Sequence, residues 1–121
     1  MISDLLYELA HIAETEFADV VIGYELIDGK LRLYISDGTL LDVWYSRRIT
    51  GRYAYHWERR YLNNTIYRWD NARHRIWNNI STFPHHFHES DDRNVKESYL
   101  PQEPENAIRY VLEYIRNALR V

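Results

Sequence analysis

The chain has no cysteine, one methionine, three prolines and four glycines among its 121 residues. Without cysteine it forms no disulfide and offers no thiolate, so any bound metal ion would need nitrogen and oxygen ligands. No apolar run approaches the roughly 18 residues typical of a membrane span, and the N-terminus lacks a signal-peptide pattern. We therefore expect a soluble, cytoplasmic protein without a membrane partner.

Aromatic residues, in contrast, are abundant. Eleven tyrosines, four tryptophans and three phenylalanines make up 15% of the chain, which is more than a core of this size requires. Some of the rings are therefore expected on the surface or in a site. The length fits a single domain, residues 1–121, that buries a modest core on its own.

Charge is distributed unevenly along the chain. The net charge of −3 excludes a globally basic nucleic-acid binder. Residues 47–75 nevertheless contain eight arginines against only two acidic residues, Glu58 and Asp70. A basic face in this region would bind phosphate groups. The alternative is a solvated face on which these arginines pair with carboxylates.

Hydrophobic periodicity predicts helices at both ends of the chain and strands between them. Apolar residues recur at three- and four-residue steps from Ile2 to about Phe17 and again after Pro104. Alternating patterns, bounded by turn signals, predict strands at about residues 18–27, 30–35, 39–47, 52–61 and 65–69. The predicted fold class is α+β: an antiparallel meander sheet of about five strands with the N- and C-terminal helices packed on one face.

Two short segments carry most of the residues capable of chemistry. They are "YRWDNARH" at residues 67–74 and "TFPHHFH" at residues 82–88, and the second holds three of the six histidines of the chain. If this second segment is extended, the two-residue period of a strand places His86 and His88 on one face and His85 on the other.

Other polar side chains are expected close to these histidines. An antiparallel return of the chain would bring Asp70 and His74 opposite them, and His56 would come from the neighbouring strand. Histidine nitrogens together with a carboxylate form a divalent metal site, for which His86, His88, Asp70 and His74 are the candidate ligands.

Two further interpretations of the cluster are open. In metal-free RNA cleavage one histidine removes a ribose 2′-hydroxyl proton, a second protonates the leaving oxygen, and an arginine stabilises the phosphorane. In a purely structural arrangement the histidines hydrogen-bond loop backbone, Asp70 and Asn71 cap the strand end, and Trp69 packs in the core.

The order and spacing of three segments resemble a known family. "YAYHW" at residues 53–57 is followed by "YRWDNARH", by "TFPHHFH", and then by an acidic loop and a helix. This pattern resembles the TumE family of small toxins from prokaryotic toxin–antitoxin systems, from about Tyr53 onward. The chain departs from the family at Arg73, where proline is frequent, and at Phe87, where a short charged residue is frequent.

The resemblance implies a cognate antitoxin as partner, in several cases a helix-turn-helix protein. Its motif residues correspond to ten positions here: His56, Arg68, Trp69, Asp70, Asn71, His74, Pro84, His85, His86 and His88. The leading hypothesis is a toxin that acts on RNA as an endoribonuclease, with or without a divalent metal.

Roles follow from this hypothesis. The predicted catalytic residues are His86, His88, Asp70, Arg68 and His74, and the predicted substrate-binding residues are Arg73, Trp69, Asn71, His56 and His85. The alternative is a non-catalytic binding protein that blocks a cellular target or serves as a partner subunit through its aromatic, arginine-rich sheet face. An exposed sheet edge would also allow a homodimer.

Overall fold

The structure is a computed structural model, and it describes residues 1–120. Seven strands form one antiparallel sheet in simple meander order, with a helix at each end of the chain. The helices and strands are α1 (Ile2–Glu16), β1 (Val21–Ile27), β2 (Lys30–Ile35), β3 (Leu40–Tyr45), β4 (Tyr53–Arg59), α2 (Arg60–Asn63), β5 (Thr65–Asp70), β6 (His86–Ser90), β7 (Val95–Glu97) and α3 (Pro104–Leu119).

The β1–β2 hairpin confirms the strongest local turn signal. Ile27 pairs with Lys30, so only Asp28 and Gly29 form the turn. Both have positive φ angles, 51° and 76°, as a type I′ turn requires, and this turn matches the right-handed twist of the two strands. The sequence Asp-Gly therefore determines the hairpin.

The prediction of about five strands was wrong, because β6 and β7 are also part of the sheet. Both strands are short and polar, and "HFHES" has little of the β-branched composition that marks a strand. They are strands because β6 pairs along its whole length with β5, and β7 pairs with β6. The fourth strand also ends earlier than predicted, at Arg59, and the short helix α2 begins at the next residue, Arg60.

Both terminal helices pack on one face of the sheet, as predicted. Leu9 of α1 and Ile108 of α3 are fully buried in the same core cluster as Tyr55, Trp57 and Trp69 of the sheet. The alternate residues of β4 and β5 therefore lie on the opposite face, which we call the outer face. The outer face carries most of the polar residues that the sequence singled out.

Ion pairs join the two helical regions. The Arg109 guanidinium lies 2.9 Å from the Glu16 carboxylate, and Arg116 lies 2.7 Å from Asp19. In α3, Pro104 occupies the first turn, where its missing N–H costs nothing. Within residues 1–120, no helix combines the length and the apolar character needed to cross a membrane.

Candidate functional site on the outer face of the sheet

Strand pairing brings the predicted site residues together on the outer face. Two rows of directly paired residues cross β4, β5 and β6: Ala54–Asp70–His86 and His56–Arg68–His88. Directly opposed residues of an antiparallel pair point to the same face. The expectation that Asp70 would meet His86 and His88 is confirmed, and His56 lies two strands away from His88 in the same row.

Asp70, His86 and His88 form what we call the buried cluster. Nε2 of His86 lies 2.9 Å from Oδ1 of Asp70, and Nε2 of His88 lies 3.8 Å from Oδ2. The three residues are 5%, 1% and 8% exposed, respectively. Arg68 donates from Nε to Oδ2 of Asp70 over 2.8 Å, so the carboxylate lies between one guanidinium and two imidazoles.

The backbone sets the orientation of both imidazoles. Nδ1 of His86 lies 2.9 Å from the carbonyl oxygen of Pro84, and Nδ1 of His88 lies 2.7 Å from that of Asp92. A carbonyl oxygen only accepts hydrogen bonds, so each Nδ1 carries the hydrogen and donates it. In each ring Nε2 is the atom that faces Asp70.

Nε2 of His86 is buried without a hydrogen-bond partner among the described residues. The distance from this nitrogen to Oδ1 of Asp70 is 2.9 Å, which is short enough for a hydrogen bond. The direction of the ring N–H is poorly aligned with that oxygen, however, and a misaligned hydrogen bond is weak. A buried nitrogen without a partner is costly and requires an explanation.

Charge and burial oppose each other in the buried cluster. Burial raises the pKa of Asp70, but His86, Arg68 and the Ala72 N–H outweigh it and lower the pKa to about 2. Burial lowers the pKa of His86, but the Asp70 carboxylate outweighs it, so the pKa is raised. The pKa of His88 is lowered, mainly by burial and also by the charge of His86. Asp70 is therefore ionised at neutral pH.

The loop between β5 and β6 covers the buried cluster. Its 3-10 turn, Arg75–Trp77, places the Trp77 ring 6.5 Å from the His86 ring and 6.1 Å from the His88 ring, centroid to centroid. Neither imidazole reaches a substrate in solvent unless this loop moves. The acid–base role of His86 and His88 stays a prediction that requires such a movement.

An open cavity of about 330 Å³ lies beside the buried cluster. Its lining residues come from β2 to β5: Lys30, Asp42, Trp44, Ala54, His56 and Arg68. Arg68 belongs to both the buried cluster and the cavity. Its Nε contacts Asp70, and its Nη1 lies 3.4 Å from Nδ1 of His56. This arginine connects the buried cluster to the solvent.

His56 is held in one tautomer. A guanidinium only donates hydrogen bonds, so the Nδ1 that faces Arg68 carries the lone pair. Nε2 therefore carries the hydrogen and donates it to Oε1 of Glu58 over 3.1 Å. Burial, and to a lesser extent Arg68, lower the pKa of His56 although Glu58 raises it. His56 is thus a neutral imidazole with a lone pair at the cavity.

Several predicted site residues lie outside both the buried cluster and the cavity. His74 is exposed in the β5–β6 loop, and its ring does not join the atoms that converge on Asp70. Trp69 is fully buried among core rings, stacked on Phe87 at 4.5 Å, so it faces the helices and not a substrate. This burial agrees with the structural alternative, in which Trp69 packs in the core, and it leaves no exposed ring face for the predicted substrate binding.

The other three have structural contacts. Asn71 accepts from the Tyr53 N–H and donates from Nδ2 to the Gly51 carbonyl over 2.8 Å, so it connects two loops. His85 is exposed and stacks on Tyr53. The Arg73 guanidinium lies 5.9 Å from the centre of the Phe83 ring. None of the three lines the cavity.

Sequence reasoning missed four residues of the site. Glu58 orients His56, while Lys30, Asp42 and Trp44 line the cavity. Asp42 is directly opposite His56 in the β3–β4 pair. The two-residue alternation of the predicted strands already placed each of them on the face opposite the core, which was the available signal.

The arginines of residues 47–75 divide into two sets. Three pair with carboxylates, namely Arg59 with Asp37, Arg60 with Glu58 and Arg68 with Asp70. Five, which we call the loop arginines, form no ion pair with any residue of the described part of the chain: Arg47, Arg48, Arg52, Arg73 and Arg75. They lie in the β3–β4 and β5–β6 loops, which Asn71 joins at one end of the sheet.

Comparison with known proteins identifies the family of the chain. A family model described as Toxin TumE matches residues 2–119 of the chain, which includes both terminal helices and all seven strands. No curated protein and no solved structure gives a significant match. The match extends the resemblance of the segments after Tyr53 to the whole domain. The chain belongs to the TumE family of toxins.

Proposed function

We propose that this toxin cleaves RNA as an endoribonuclease at the cavity on the outer face, as one half of a prokaryotic toxin–antitoxin pair. The family supports the toxin role and, with it, a cognate antitoxin. The observation that carries the nuclease proposal is the contact between Arg68 and His56 at the cavity wall. A guanidinium beside a neutral imidazole is an arrangement suited to phosphodiester transesterification.

In the proposed reaction His56 is the general base. On RNA binding, the Arg68 N–H that faces Nδ1 turns to the phosphate and frees the Nδ1 lone pair. Nδ1 then takes the proton of a ribose 2′-hydroxyl, and the 2′ oxygen forms a bond to the adjacent phosphorus. The bond from phosphorus to the 5′ oxygen then breaks, and the leaving oxygen takes a proton from water in the open cavity. The products are a 2′,3′-cyclic phosphate and a 5′-hydroxyl. Glu58, on Nε2, stabilises the imidazolium as it forms.

Arg68 and Lys30 supply positive charge for the phosphorane. Both line the cavity, and negative charge on the two non-bridging oxygens increases in the transition state. Asp70 accepts from Nε of Arg68 and from the Ala72 N–H over 3.1 Å, which fixes the guanidinium while its Nη groups remain at the cavity. In this proposal the buried cluster positions Arg68 and does not contact RNA.

The loop arginines and Trp44 supply RNA contacts away from the reacting phosphate. Cations without a carboxylate partner bind phosphates at a lower desolvation cost than paired ones. Trp44 lines the cavity and is 39% exposed, so its ring is available for base stacking. Because the loop arginines concentrate positive charge at one end of the sheet, RNA binding is compatible with the net charge of −3.

The rival function is binding without catalysis. It draws support from the exposed aromatic rings of the outer face, Tyr34 at 36% and Trp44 at 39%, which resemble the aromatic residues enriched in protein interfaces. In this function the protein blocks a cellular target or serves as a partner subunit. A helix-turn-helix antitoxin and a homodimer are further predictions about its partners.

Cleavage of end-labelled RNA by the purified protein tests the proposal. The wild type should release fragments with 2′,3′-cyclic phosphate ends, His56→Gln should not, and the exposed His74→Gln should cleave as the wild type does. Parallel reactions with a chelator establish whether a metal ion is needed. If the folded wild type arrests growth of a bacterial host but cleaves no RNA, the nuclease proposal fails and the binding function is favoured.

A further inference from the structure

Two imidazole nitrogens and a carboxylate converge below the cavity floor. Nε2 of His86, Nε2 of His88 and a carboxylate oxygen of Asp70 all lie within 4.8 Å of one another, and all three residues are buried. One of these atoms, Nε2 of His86, is completely buried and has no hydrogen-bond partner among the described residues. The protein thus aims a desolvated ring nitrogen at a position where two other electron donors point.

The surroundings of these three donors match those of a metal centre. Histidines that bind metal through Nε2 almost always donate Nδ1–H to a carbonyl or carboxylate, which fixes the tautomer. Here His86 donates to the Pro84 carbonyl and His88 to the Asp92 carbonyl. Ligating carboxylates are hydrogen-bonded in turn. Arg68 fulfils that role at Oδ2 of Asp70 and the Ala72 N–H at Oδ1, whose second lone pair remains for an ion.

An ordinary ion pair explains the cluster less well. A charged His86 would donate from Nε2 to Asp70 along the ring plane, but the angle of this 2.9 Å contact does not allow a hydrogen bond. Nor does an ion pair require the second imidazole, His88, to turn its Nε2 toward the same carboxylate. A cation placed between the three donors satisfies all of them.

We propose that Asp70, His86 and His88 bind one divalent ion of the zinc class. Two imidazoles and one carboxylate, without thiolates, suit Zn²⁺, Co²⁺ or Mn²⁺. Bonds of about 2.0–2.2 Å from each donor are reached by small side-chain adjustments, since the donors already lie within 4.8 Å. His74, the fourth candidate from the sequence, is not a ligand because it lies exposed in the loop.

The ion would join two neighbouring strands that are separated by the long loop of residues 71–85. Asp70 ends β5 and the two histidines lie in β6, while their carbonyl partners, Pro84 and Asp92, belong to the loops before and after β6. Bound metal would therefore hold β6 and the covering loop against β5. This role goes beyond the proposed RNA cleavage and does not depend on it.

The test measures metal binding directly and without RNA. Full-length protein is treated with chelator, dialysed, and titrated with Co²⁺, whose visible d–d bands report coordination by protein ligands. We expect one ion per chain and displacement of Co²⁺ by an equal amount of Zn²⁺. Zn²⁺ should also raise the melting temperature. Because cleavage is not measured, a failure here and a failure of the nuclease proposal are distinguishable.

Matched variants assign the ligands. Asp70→Asn should weaken Co²⁺ binding by more than about 100-fold, the upper end of the cost of changes outside the coordination shell. Asp42→Asn, which removes another carboxylate of the outer face that pairs with Lys30 and Arg32, should bind as the wild type does. Unchanged binding by folded Asp70→Asn, or no binding by the wild type, would overturn the proposal.

Nuclear magnetic resonance of the wild-type protein also identifies the histidines that bind the ion, and it does not depend on a variant that folds. The side-chain nitrogens of the six histidines are followed by ¹⁵N chemical shift during addition of Zn²⁺. The Nε2 signals of His86 and His88 should shift and the other histidines should not. A shift at His56, His74 or His85 in their place would assign the ion elsewhere and overturn the proposed site.

Discussion

Nε2 of His86 lies 2.9 Å from Oδ1 of Asp70 across the β5–β6 pair, yet the two groups do not form a hydrogen bond. The same carboxylate does accept a well-formed bond from Arg68. Asp70 thus connects the buried imidazoles of His86 and His88 to the Arg68 guanidinium at the edge of the open cavity. Changes at Asp70 should affect stability and the position of Arg68 together.

Asp70→Asn should destabilise the fold. The substitution keeps the shape of the side chain but leaves Arg68 and His86 without their negative partner, and loss of one partner of a buried charge pair costs about 3–5 kcal/mol. Urea unfolding followed by circular dichroism measures this cost as a change in the free energy of unfolding. Asp42→Asn, whose own carboxylate is 14% exposed against 6% for that of Asp70, should cost about 1 kcal/mol or less. Equal costs would contradict the special role of Asp70.

The rate of RNA cleavage should depend on pH through His56. A general base works only when it is unprotonated, and burial lowers the pKa of His56 below its ordinary value of about 6.5. The rate should therefore fall on the acid side with a midpoint below that value. Glu58 raises this pKa, so Glu58→Gln should move the midpoint to still lower pH. A midpoint above 6.5 in the wild type, or a shift in the other direction, would exclude His56 as the base.

Removal of the loop arginines should weaken RNA binding and its dependence on salt. Arg47 and Arg48 pair with no carboxylate in the described structure, and each phosphate contact adds about 0.7 to the slope of log K against log salt for a single strand. The double variant Arg47→Ala/Arg48→Ala should lower that slope by about 1.4. Fluorescence anisotropy with labelled RNA at several salt concentrations measures it.

Arg109→Ala is the control for that measurement, because Arg109 lies on α3 and pairs with Glu16 on the helical side of the sheet. Its slope should equal that of the wild type. If Arg109→Ala lowers the slope as much as the double variant does, then RNA binding is not localised to the loop arginines.

Thr39→Val should destabilise the β3–β4 pair. Thr39 is 1% exposed, and its Oγ1 accepts from Nε1 of the buried Trp57 over 2.8 Å. Valine has the same shape but no acceptor, so the indole N–H would remain buried and unpaired at a cost of about 1–3 kcal/mol. The exposed Thr15→Val should change the free energy of unfolding by no more than about 0.5 kcal/mol. Thermal and urea unfolding measure both.

Local signals were sufficient for most of the secondary structure. The Asp28-Gly29 turn, the helical periodicity of α1 and α3, and the alternation of β2 to β5 all act within a few residues, and the structure confirms them. For β6 and β7 these signals were weak, since "HFHES" and "VKE" are polar. Their pairing with β5 and with each other is a long-range interaction that no local pattern contains.

The sequence by itself determined the α+β class and the antiparallel meander of β1 to β5, because turn signals and period-two alternation leave few other arrangements. The alternation also predicted that His86 and His88 share a face, but their meeting with Asp70 depended on the pairing of β6 with β5. Only the tertiary structure decided that Trp77 buries this cluster, that His74 stays apart from it, and that Arg68 connects it to His56 and the cavity. These features depend on which strands are neighbours and on the path of the 71–85 loop. Both are set by packing between distant segments, not by the residues next to them in the chain.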